Sequence, residues 1–140
     1  MNDINHAKYI LEDRNASVVF CRGEQMIILD GKGIKPLLEL MKKQIALSEY
    51  SVADKIVGKA AALLFIKMKV SSVYGSVMSV KARDIFLHYY IPFFYKTLTK
   101  EIINRRGDDI CPMEKAVENV NDPEKAYAIL TDTVYKKSEV

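Results

Sequence analysis

Cys111, Asp54 and Lys55 are the side chains of this sequence best suited to covalent and acid–base chemistry. Cys111 stands directly before Pro112, within Asp108-Asp109-Ile110-Cys111-Pro112-Met113-Glu114. Proline is favoured at the first helical position, which puts the cysteine at a helix N-cap. Free N–H groups there favour a thiolate, while Asp108, Asp109 and Glu114 oppose it. The plain alternative is a small apolar residue that packs where a helix begins. Asp54 could act as a general base, or hold Lys55 and so orient a ligand. In Ser51-Val52-Ala53-Asp54 it also fits the acid of a capping box.

An anion site is the second chemical feature. The pattern predicts a central helix from near Ser51, apolar almost all round over residues 56–68. Lys55 and Lys59, four apart, then share one face, with Gly58 and Ala62 beside them. Unpaired ammonium groups are costly to bury, so both lysines are expected in a polar cleft. The helix start adds partial positive charge and free N–H groups. Against this, two lysines could simply reach solvent past apolar neighbours. Asn104-Arg105 offers a guanidinium fork to phosphate or carboxylate, or equally a turn tied to Asp108. Gly31-Lys32-Gly33 lacks the Gly-Lys-Ser/Thr ending of a phosphate loop and reads as a turn. Tyr89, Tyr90, Phe93, Phe94 and Tyr95 could stack bases. They cross a helix end and a strand, which favours core packing.

No metal site follows from the soft ligands. Cys21, Cys111, His6 and His88 share no ligand spacing, so neither zinc nor another cofactor is implied. The protein is expected to purify without stoichiometric zinc.

The elements that must position these groups can be read from composition and periodicity. The chain has 140 residues, 49% hydrophobic, with 21 Lys and Arg against 18 Asp and Glu. This supports one domain with a real core and excludes disorder for most of it. A strongly basic nucleic-acid binder is not indicated. The positive surplus lies before Ser71, with eleven basic against eight acidic residues; ten face ten thereafter. A phosphate patch should therefore draw on the first half. Two distant cysteines make no disulfide framework, and a reducing cytoplasm is the expectation. The longest clean apolar run, residues 60–66, is far short of the roughly 20 needed to span a bilayer, and the N-terminus reads as no signal peptide.

A helix over residues 3–13 precedes a hairpin of residues 16–21 and 25–29. Pro36 should open the next helix. A strand over 71–79, a helix over 80–90 and a strand over 93–98 follow the central helix. Pro112 and Pro123 start two closing helices, with Asp122 as a cap. Residues 1–135 form one domain, and 136–140 a frayed tail. The order predicts an α/β fold with a mixed sheet and helices on both faces.

Four segments carry a family resemblance. They are Gly33-Ile34-Lys35-Pro36-Leu37, residues 52–62 with Ala53-Asp54-Lys55 and Gly58-Lys59, Asn104-Arg105-Arg106-Gly107, and Cys111-Pro112-Met113-Glu114. Together the chain resembles a prokaryotic domain-of-unknown-function family of the cytidine-deaminase-like superfamily. That resemblance implies a three-layer α/β/α sandwich. In zinc deaminases a His-x-Glu opens the second core helix, and a Pro-Cys-x-x-Cys opens the next one after a strand. Ala53-Asp54-Lys55 is expected at the first place and Met78-Ser79-Val80-Lys81 near the second. Neither keeps a zinc ligand. What the resemblance leaves is a pocket of Asp54, Lys55, Lys59, Ser79, Lys81, Asn104, Arg105 and Cys111. It suits a small anionic or nucleotide-like ligand. Cys111 would be the nucleophile and Asp54 and Lys55 the acid–base pair. A homo-oligomer is compatible with this reading, as is a non-catalytic binding or scaffold protein.

Overall fold

The computed structural model describes residues 1–136. Helix α1 (Asp3–Asp13) is capped by Asn2, whose side-chain oxygen accepts the Asn5 N–H at 2.9 Å. Strands β1 (Val18–Arg22) and β2 (Gln25–Leu29) form the expected antiparallel hairpin. Its two-residue turn needs a left-handed residue, and Gly23 supplies it at φ +59°. Helix α2 (Lys35–Lys42) has Pro36 as its second residue, not its first.

Ser51–Val57 is strand β3, not the start of a helix. It pairs antiparallel with β1 on one side and parallel with β4 (Ser72–Ser79) on the other. Both faces of the strand are covered and Asp54-Lys55 interrupts its apolar residues, so no clean alternation gave warning. Helix α3 (Lys59–Met68) begins only after Gly58. Lys55 and Lys59 therefore do not share a helix face, and Asp54 caps nothing.

Helix α4 (Val80–His88) ends two residues early, because Tyr90 adopts φ +59° and turns the chain into β5 (Phe93–Thr99). Short α5 (Pro112–Ala116) and long α6 (Pro123–Lys136) complete the described chain. Asp122 caps α6, accepting the Lys125 N–H. Lys136 belongs to α6, so the expected tail does not include it; residues 137–140 lie outside the described residues.

The result is a mixed five-stranded sheet, ordered β2-β1-β3-β4-β5, flanked by helices. Helix α1 packs on β1 and β3, closing a small core of Ala7, Leu11, Val19, Cys21, Ala53 and Tyr74. The opposite face carries the main core, where α3 lies against α4 and α6. Alternate residues serve the two cores: Val18 and Phe20 face one, Val19 and Cys21 the other. The aromatic cluster is only half inside. Phe93 stacks on Phe86, but Phe94 and Tyr95 are 51% and 42% exposed, because β5 is an edge strand. Among the described residues no helix is long and apolar enough to cross a membrane.

Candidate functional site

Parallel strands end where their helices begin, which gathers loop residues and helix N-termini at one edge of the sheet. At that edge β3 passes through Gly58 into α3. The freed N–H groups of Lys59 and Ala60 donate to the two carboxylate oxygens of Glu114, at 2.7 and 2.8 Å. A Cβ on residue 58 would stand 2.6 Å from the Glu114 carboxyl carbon, so only glycine lets the carboxylate approach. Lys59 is 7% exposed, and its ammonium donates to the Glu118 carbonyl at 3.0 Å. Burial lowers the Lys59 pKa, Lys81 lowers it further, and Glu114 and Glu118 resist. Burial raises the Glu114 pKa against the pull of the Ala60 and Lys59 N–H groups and the charges of Lys81 and Lys59. Two lysines and two acidic residues thus act on one helix end.

Ser79 is buried and structural: its hydroxyl accepts the Ala82 N–H at 3.0 Å and caps α4. Ser79→Ala is expected to lower stability by about 1 kcal/mol in urea titration. An unchanged midpoint would deny the cap its role.

Asp54 sits in mid-sheet, between Val18 of β1 and Gly75 of β4, and is 8% exposed. Val52 and Val57 both join the main core although five apart, so strand alternation breaks between them. At that break the Asp54 carboxylate accepts the Ile56 N–H at 3.3 Å. Burial pushes its pKa up to about 7; only the Ile56 and Lys55 N–H groups oppose the rise. No cation offsets the burial. Lys55 is turned elsewhere, donating to the Asn15 side-chain oxygen at 2.6 Å and its carbonyl at 3.3 Å.

The family profile described as a domain of unknown function (DUF1893) matches residues 6–134. The chain belongs to the DUF1893 family. The crystal structure of a DUF1893 family protein (TM1506) from Thermotoga maritima is similar to it, with 31% identity and a TM-score of 0.87. The match covers 94% of this chain and 90% of that one. No protein with a curated description matches.

In this DUF1893 chain the remaining candidates are dispersed. Asn104 braces its own loop: its side-chain oxygen accepts the Gly107 and Asp108 N–H groups, and its amide donates to Asp108 at 2.9 Å. Arg105 is exposed in that loop. Cys111 holds the expected N-cap place on α5 without a side-chain capping bond, and is half-buried. No hydrogen bond or ion pair joins Cys111, Asp54 and Lys55 among the described residues. A concavity of about 390 Å³ beside Met41, Met68 and Tyr127 lies apart from these candidates. Among the described residues no three His, Cys, Asp or Glu side chains cluster as metal ligands.

The two cysteines give an internal comparison. Cys21 is fully buried, and burial followed by the charge of Asp3 raises its pKa. Native alkylation of Cys111 should be about a hundredfold faster than that of Cys21, since access and thiolate fraction govern the rate. Equal rates, mapped by peptide mass, would remove Cys111 from consideration as a nucleophile.

Sequence reasoning missed Gly58 as a cap and Glu114 as the partner of α3, treating Glu114 only as an obstacle to a Cys111 thiolate. The one local signal was a glycine, Gly58, between Ile56-Val57 and Lys59.

Proposed function

We propose that this DUF1893 protein binds a small anionic, nucleotide-like ligand at the carboxyl edge of β3 and β4, on a cytidine-deaminase-like scaffold. One observation carries the reading: a carboxylate, that of Glu114, is already received there by two backbone N–H groups, with Lys59 and Lys81 acting on it. Those two N–H groups are engaged by Glu114, so an external anion binds in exchange for that carboxylate, beside the charge of Lys59 and Lys81.

Element order supports the scaffold but shifts its landmarks. Because Ser51–Val57 is a strand, the helix after the hairpin is α2, opening at Ile34-Lys35-Pro36. The next helix after a strand is α3, opening at Gly58-Lys59-Ala60. These are the places where zinc deaminases carry His-x-Glu and Pro-Cys-x-x-Cys. Neither place here offers a zinc ligand, and Lys59 supplies positive charge instead. Asp54, on the strand between those helices, is the acid–base group of the catalytic version. Cys111 is its nucleophile candidate, and two unpaired cysteines suit a reducing cytoplasm. A non-catalytic binding module is the second reading, favoured by the separation of Lys55 from Asp54.

Thermal unfolding with inorganic phosphate and with a nucleoside monophosphate tests the site. The wild type is expected to gain a few degrees at saturating ligand. Lys59→Met and Lys81→Met should each remove most of that gain. An unchanged gain in both variants places the anion elsewhere. No gain from either anion refutes the ligand reading and leaves a structural role.

A further inference from the structure

Between β5 and α6 lie 23 residues, 100–122, of which only Val117 is buried. Its one helix is the short α5, and largely irregular connections of this length are uncommon in compact domains and usually either functional or linkers. This one is braced from within. Ile103 and Ile110 form an isolated antiparallel bridge, and the Cys111 N–H donates to the Ile102 carbonyl at 2.9 Å. Asn104 ties the tip to Asp108, and Lys115 pairs with Asp109. Attachment to the rest of the protein is sparse. Helix α5 buries none of its own residues. Its Glu114 holds the first turn of α3, Lys59 holds the Glu118 carbonyl, and Tyr89 donates to the Asn121 carbonyl at 3.1 Å. Apolar anchoring comes chiefly from Val117, with Met113 and Val120 partly covered.

A segment that is internally cross-linked but tied down at few points moves as a unit before the core does. We propose that residues 100–122 form a strap that opens as one body, with Glu114 as its clasp on α3, and that opening uncovers the Lys59 ammonium. The clasp is polar and therefore reversible in water: the Lys59 and Ala60 N–H groups released by Glu114 are immediately solvated. Strap opening needs no ligand, so it stands apart from the anion-binding reading.

Two variants break the clasp by independent routes. Glu114→Ala removes the carboxylate. Gly58→Ala leaves it intact and denies it room; residue 58 has φ −96°, which alanine adopts freely. The intact protein and both variants are compared by amide exchange and by acylation of Lys59 with an amine-reactive ester. Ser79→Ala serves as a destabilised control whose lesion lies outside the strap. Both clasp variants are expected to exchange about tenfold faster across residues 100–122, with Lys59 acylation rising in parallel and β3 amides unchanged. The control should show neither change. The strap is overturned if its exchange rises only together with that of β3, if the control rises equally, or if Lys59 stays unreactive in both variants.

Discussion

At pH 8, Asp54→Asn is expected to stabilise the protein, by at most about 4 kcal/mol. The folded carboxyl has its pKa pushed up to about 7 by burial, against an ordinary 3.8 for aspartate. A raised folded pKa means that the folded state holds its proton longer than the unfolded chain. The associated stability is complete below the unfolded value and is lost as pH rises through the folded one. Above pH 7 the protein therefore carries an ionised carboxylate that burial disfavours, with only backbone N–H groups to answer it. Asparagine keeps an oxygen for the Ile56 N–H and carries no charge. The two proteins should unfold with similar midpoints near pH 4 and diverge progressively up to about pH 7.5. Urea titration across that range makes the measurement. A loss of stability at pH 8, or a pH-independent difference, would show a carboxylate held ionised by a partner. The expected gain also bears on function: a group that costs its own fold stability at neutral pH is a candidate for chemistry.

Phe65→Ala should produce the largest loss, about 3–5 kcal/mol. Phe65 is fully buried on α3 and meets Phe20 of β1 edge to face, with ring centroids 6.3 Å apart. The pair joins the helix to the sheet. Truncation removes the transfer energy of the ring, leaves a cavity and forfeits the aromatic contact, itself worth about 0.5–1.5 kcal/mol. Because α3 presents Lys59 and Ala60 to Glu114, loosening it should also blunt the anion-dependent rise in melting temperature. Urea midpoints and thermal shifts on the same variant check both. A loss below about 1.5 kcal/mol would mean that the core refills the space and α3 is held by other contacts.

Much of the architecture was legible from local signals. The first helix, the hairpin and the proline-started closing helices all rest on neighbours in sequence. Cys111 was correctly placed at a helix start for the same reason. Local pattern alone could not distinguish a strand covered on both faces from the first turns of a buried helix. Ser51-Val52-Ala53-Asp54 satisfies a capping box, and only pairing with Val18 and Gly75 makes it a strand. That one decision moved Lys55 to Asn15, made Asp54 a buried acid without a cation, and left Gly58 to begin α3. The union of Glu114 with Lys59 and Ala60, 55 and 54 residues apart, was likewise beyond any local reading. Sequence by itself determined the residue types and the elements whose signals are local. Tertiary structure decided which charges meet, because burial and long-range hydrogen bonding, rather than spacing along the chain, set the partners of a buried polar group.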